Sequence, residues 1–120
     1  MLTLDKFEEA SEKVKEVTLE TKLVYSDFLS TQTGNKVYLK PENMQFTGAY
    51  KVRGAYYKIS TLTDEERQKG LITASAGNHA QGVAYAAKCY GCKAYHNTFD
   101  QGKPYQELWC RGCIIRRCIR

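Results

Sequence analysis

The stretch from Leu71 to Gly91 constrains this chain more than any other. Leu71–Ser75 (LITAS) is a short apolar run, Gly77 offers a tight turn, and Ala80–Tyr90 (AQGVAYAAKCY) is rich in alanine and closed by Gly91. A brief apolar run bounded by turn residues reads as a buried strand, and a longer alanine-rich segment as a helix. Alanine carries so little bulk that such a helix must pack its backbone close against a neighbour. Lys93–Ala94 then begins a second strand. A strand, a crossover helix and another strand predict parallel pairing, the arrangement of an α/β domain.

Upstream, Asp5–Val17 places Phe7, Ala10, Val14 and Val17 at helical spacing, and Asp5 with Glu8 resembles a capping box. Thr33, Gly34 and Asn35 mark a turn, and Lys36–Lys40 (KVYLK) reads as a short strand stopped by Pro41. After a loop at Glu42–Thr47, the segment Gly48–Ser60 predicts a helix with Val52, Ala55, Tyr56 and Ile59 on one face. Thr63 with Glu66 forms a second capping box, and Gly70 ends that short helix. The order strand, helix, helix, strand, helix, strand predicts a parallel sheet covered by helices on both faces. In such sheets ligands sit at the carboxyl ends of strands, against helix amino termini. Both 42–47 and 75–79 fall at those ends.

A chain of 120 residues has room for one small domain. No run reaches the ~18 apolar residues of a membrane span. The mixed-charge amino terminus has no signal-peptide core, so a cytoplasmic location is expected. The net charge of +5 owes much to Arg111, Arg116, Arg117 and Arg120. Residues 1–94 are close to balance, which argues against a nucleic-acid partner.

Lys51 lies early in its helix, within TGAYKVRGA, near the positive end of the dipole, which disfavours its charged form. A lysine so disposed can act as a nucleophile and form a Schiff base. On spacing alone, a solvated lysine on an amphipathic helix is the simpler reading. Ser75-Ala-Gly-Asn-His-Ala-Gln-Gly82 presents backbone N–H groups suited to a carboxylate or phosphate. Taken singly, Asn78 reads first as a helix cap and His79 as a structural histidine.

Together, KPENMQFTGAYKVRGA (residues 40–55) and SAGNHAQG (75–82) closely resemble the tryptophan-synthase-β-like group of pyridoxal-phosphate enzymes, fold type II. Within it they look most like the threonine dehydratases, also called threonine ammonia-lyases. The resemblance runs from about residue 4 to Ala94. It implies that Lys51 holds the cofactor pyridoxal 5'-phosphate and moves the substrate's α-proton. Tyr50 would sit beside the cofactor ring, and Asn78 would bond its 3'-oxygen. Ser75, Gly77, Asn78 and His79 would grip the substrate carboxylate. The reaction implied removes the α-proton and the β-hydroxyl of threonine or serine, giving a 2-oxo acid and ammonia. Full-length members of the family form homo-oligomers. Serine racemases share most of these motifs but carry a serine where this chain has Ala76. Inverting a stereocentre needs an acid/base on the far face, which alanine cannot supply, so dehydration is favoured.

Residues 1–94 thus read as the amino-terminal portion of a lyase domain, and 95–120 as a tail outside the family pattern. The chain lacks the glycine-rich loop with which the family holds the cofactor phosphate, and an inactive fragment is the expectation. The tail's YHNTFDQGKPYQ is not an apolar strand. Codons for Gln101–Arg117, read one base onward, permit KVNRTRSYGAEVVLYGD, which looks like a family continuation and suggests a frameshift. A rival reading is a small zinc module. Cys89-x-x-Cys92 and Cys110-x-x-Cys113 have zinc-ribbon spacing, although the second pair falls inside the suspected shifted run.

Overall fold

A computed structural model describes residues 2–75 and 77–96, and the backbone of residues 106 and 107. Its elements are α1 (Leu4–Val14), β1 (Val24–Tyr25), α2 (Asp27–Thr33), β2 (Tyr38–Leu39), a 3-10 turn (Glu42–Met44), α3 (Lys51–Ser60), α4 (Asp64–Gln68), β3 (Leu71–Thr73), α5 (Asn78–Cys89), β4 (Ala94–His96) and β5 (Gln106–Glu107). The architecture is α/β. Strands β3 and β4 run parallel with Leu71 opposite Ala94 and Thr73 opposite His96, and α5 is the crossover between them. β5 adds to β4 antiparallel.

The core lies where α3 and α5 pack together. Val52, Ala55, Tyr56 and Ile59 are all buried, on the face their spacing predicts, against Val83, Ala86 and Ala87 of α5, with Val17 and Ala94 closing the cluster. Val52 is 0% exposed. Small residues along α5 let the two backbones approach, most tightly where Gly82 meets the Lys51–Val52 peptide. In β3, Thr73 is buried, while Ile72 on the opposite side of the strand is 69% exposed.

Three local expectations need correction. The KVYLK strand shortens to Tyr38–Leu39 and does not join the parallel sheet; it pairs antiparallel with β1 in a separate two-stranded sheet. Both of its residues are exposed, so no buried face draws it to the core. The Val37 N–H is instead held by the Ser30 hydroxyl of α2 at 2.9 Å. Second, Asp5 and Glu8 form no capping box, because α1 starts one residue earlier behind Thr3, whose side chain makes no cap bond. Third, Phe7 is 60% exposed, since only the last turn of α1 and Val17 beyond it reach the core. Gly77 does bend the chain, at φ −118° and ψ −141°, and leads directly into α5. The Thr63–Glu66 capping box does form, with Glu66 N–H donating to Thr63 Oγ1 at 3.2 Å and Thr63 N–H to Glu66 Oε2 at 2.8 Å. Gly70 and Gly91 take left-handed φ values of 84° and 65° where α4 and α5 end.

Strand β4 continues through Tyr95 and His96. Residues 97–105 and 108–120 lie outside the described residues, with Cys110, Cys113 and most of the suspected shifted run. No described helix is long and apolar enough to cross a membrane.

Candidate functional site

Lys51 is the first residue of α3, half-buried behind Tyr50, and α3 starts without a side-chain cap. Its Nζ stands 4.8 Å from the centroid of the Tyr50 ring, and Tyr50 itself is 58% exposed. The chain reaches Lys51 through Gly48 at φ +69°, a left-handed position suited to glycine. The Gly48 N–H donates to the Gln45 carbonyl at 2.8 Å.

That approach is pinned by groups the sequence did not single out. The Gln45 side chain, 4% exposed, accepts from the Leu19 N–H at 2.8 Å and donates to the Leu19 carbonyl at 2.9 Å, pairing with that backbone as a strand would. Arg53 grips Glu42 with two bonds, Nε at 2.7 Å and Nη2 at 3.0 Å. The Thr21 hydroxyl donates to the same carboxylate at 2.9 Å, and the Lys40 ammonium bonds the Thr21 carbonyl. The Arg53 guanidinium holds the Glu42 carboxyl at a pKa of about 2, against burial that would raise it. Phe46 stacks on Tyr85 of α5 with ring centroids 5.9 Å apart. Glu42 and Arg53 are eleven residues apart, a separation that carries no periodic signal. Only the structure pairs them.

Asn78 is the first residue of α5 and exposed. The helix has no side-chain cap, so N–H groups of its first turn have no intrahelical partner. The Ser75 hydroxyl accepts from the Gly77 N–H at 3.3 Å, which folds the loop back before the helix. Asn78 shares a helix face with Gly82, one turn on and roughly 6 Å along the axis, and the Gly82 backbone lies against the Lys51–Val52 peptide. The start of α3 at Lys51, with Tyr50 beside its amine, thus packs against α5 one turn beyond Asn78. His79 points elsewhere. With Val83 one turn on, it lines a groove of about 290 Å³ together with Gly54, Lys58 and Thr73. Ala76 lies outside the described residues.

A primary amine at one uncapped helix start and a neutral amide at the start of the helix packed against it are a donor set that fits an anionic cofactor bearing a carbonyl. Of the four cysteines with zinc-ribbon spacing, Cys89 and Cys92 are half-buried near the end of α5, and burial pushes the Cys92 thiol up, partly countered by Arg67; Cys110 and Cys113 lie outside the described residues. No group of three or more metal-ligating side chains occurs among the described residues.

The motif residues, the parallel β3–α5–β4 unit and this amine at a helix start define a pyridoxal-phosphate enzyme. The chain belongs to the pyridoxal-phosphate-dependent enzyme family, whose model matches residues 14–107. It is 53% identical over 94 residues to the L-threonine ammonia-lyase of Thermotoga maritima, covering 78% of this chain and 23% of that protein. Among solved structures it resembles the processed form of threonine deaminase isoform 2 from Solanum lycopersicum, at 39% identity and a TM-score of 0.67. That match covers 79% of this chain and 29% of the other. It also resembles maize serine racemase, at 38% identity and a TM-score of 0.72, over 78% and 29% of the two chains. The chain thus spans less than a third of the length of these relatives.

Proposed function

We propose that this chain is the cofactor-holding portion of a pyridoxal-phosphate-dependent ammonia-lyase that deaminates L-threonine or L-serine. One observation carries the reading: the backbone of Lys51, the first residue of α3, lies against Gly82, one turn beyond Asn78 at the uncapped start of α5. Pyridoxal phosphate, when bound, supplies an electron sink for charge developing at the substrate α-carbon. Lys51 Nζ holds the cofactor and accepts the α-proton. The Tyr50 ring flanks it, the Asn78 amide orients the cofactor's 3'-oxygen, and the loop Ser75–Asn78 with the α5 N–H groups binds the substrate carboxylate. Likeness to both a threonine deaminase and a serine racemase leaves the choice of reaction to the residues, and alanine at position 76 favours dehydration. A cytoplasmic location belongs to the same proposal.

The test is covalent capture. The 120-residue chain is incubated with pyridoxal phosphate, reduced with borohydride, and the labelled lysines are identified by peptide mass spectrometry. Label concentrated on Lys51, and lost in Lys51→Ala without new sites, supports the reading. Label spread evenly over the exposed lysines refutes it.

A further inference from the structure

Two glycines lie inside described helices, and their surroundings differ sharply. At Gly54 of α3, an added Cβ would meet nothing within 4 Å. At Gly82 of α5, the same atom would stand 2.9 Å from the Lys51 carbonyl carbon, 3.0 Å from its oxygen and 3.1 Å from the Val52 nitrogen. All three are backbone atoms of the first peptide in α3, and Val52 beyond them is fully buried. None can swing aside as the tip of a long side chain would. Gly82 is helical, so its own backbone does not require glycine. The requirement comes from the neighbour.

We propose that Gly82 is a positioning residue for Lys51, resting on the reading of Lys51 as the lysine that holds the cofactor. By seating the Lys51–Val52 peptide, Gly82 sets how closely α3 and α5 approach at this level. That approach fixes where the Lys51 amine stands relative to Asn78 and the N–H groups one turn back along α5. Ordinary van der Waals contact begins near 3.4 Å, so a methyl group here must part the helices by a few tenths of an ångström or more. Interior packing resists such a shift and passes it along the helix rather than absorbing it. The first turn of α5 therefore moves with Gly82, and reacting groups tolerate displacement poorly.

Three readouts on the full chain test this. In the wild type without cofactor, the Gly82 α-protons and the Val52 amide proton must show a nuclear Overhauser contact; its absence overturns the proposal whatever the variants do. Gly82→Ala and Gly54→Ala both gain helix propensity, so circular dichroism should show helix retained in each. In Gly82→Ala, amide resonances of both Lys51–Arg53 and Asn78–Ala80 should shift, and the rate of borohydride-trapped pyridoxal-phosphate labelling at Lys51 should fall roughly tenfold or more. Gly54→Ala should leave the Asn78–Ala80 resonances and the labelling rate as in the wild type. A folded Gly82→Ala that labels within about twofold of the wild-type rate, or whose Asn78–Ala80 resonances stay fixed, overturns the positioning role. Labelling spread evenly in the wild type refutes the reading of Lys51 instead, and the amide shifts still judge whether Gly82 sets the α3–α5 approach.

Discussion

Replacing Glu42 by glutamine removes one negative charge while keeping the side chain's size and part of its hydrogen bonding. In the folded chain the carboxyl titrates at about 2 rather than 4.5, chiefly because Arg53 donates two bonds to it. At about 1.4 kcal/mol per unit, that depression sets a ceiling of about 3 kcal/mol. The Glu42 and Arg53 side chains are 19% and 35% exposed, so water screens the pair. A loss of about 1–2 kcal/mol at neutral pH is expected. The sign follows from the direction of the shift. A carboxyl whose folded pKa is lowered contributes fully above its unfolded value, and the contribution fades as pH falls from about 4.5 to about 2. Urea unfolding of wild type and Glu42→Gln, followed by circular dichroism at neutral pH and at several values down to about 2, should show a gap that closes across that window. Other depressed carboxyls, Glu16 among them, affect both proteins alike and cancel in the difference. A gap of equal size at every pH would refute the reasoning, because it would make the loss one of shape or hydrogen bonding rather than charge.

Two further substitutions test the frame around the site. Val52→Ala removes two buried carbons from a fully enclosed position and should cost about 2 kcal/mol in urea unfolding, with a change under half that showing that the core relaxes around it. Thr63→Ala removes one of the two reciprocal bonds at the start of α4 and should cost about 1 kcal/mol, with Thr63→Ser recovering most of it.

The core-facing sides of the helices were legible because burial follows periodicity. Val52, Ala55, Tyr56 and Ile59 declare one face of α3, and that face is the one buried. The Thr63 capping box was legible because both of its bonds close within four residues. The Asp5 box has similar spacing and does not form, since a cap also needs the helix to start at that residue, and α1 starts at Leu4. The KVYLK strand failed for a different reason: pattern reports that a segment can be extended, not which partner it finds. Here Ser26 and Ser30 of α2 claim its backbone groups, Ser26 N–H donating to Val37 O at 3.0 Å and Ser30 Oγ accepting from Val37 N–H at 2.9 Å.

The two motifs single out Lys51 and Asn78 as candidates but not the side chains around them. The side chains that fix the approach to Lys51 act across long separations, Gln45 on Leu19 and Arg53 on Glu42, where no spacing rule applies. Gly82 was not singled out in the sequence beyond its place in the second motif, although it is a glycine inside an alanine-rich helix. Such a residue weakens its own helix by roughly 1 kcal/mol against alanine. It is explained only by a neighbour that needs the space, and that neighbour is the peptide of Lys51. Local preference yields at the point where the helix bearing Asn78 meets the backbone of Lys51, so a conflict between propensity and position falls beside the proposed site, where a functional constraint is expected to override local rules.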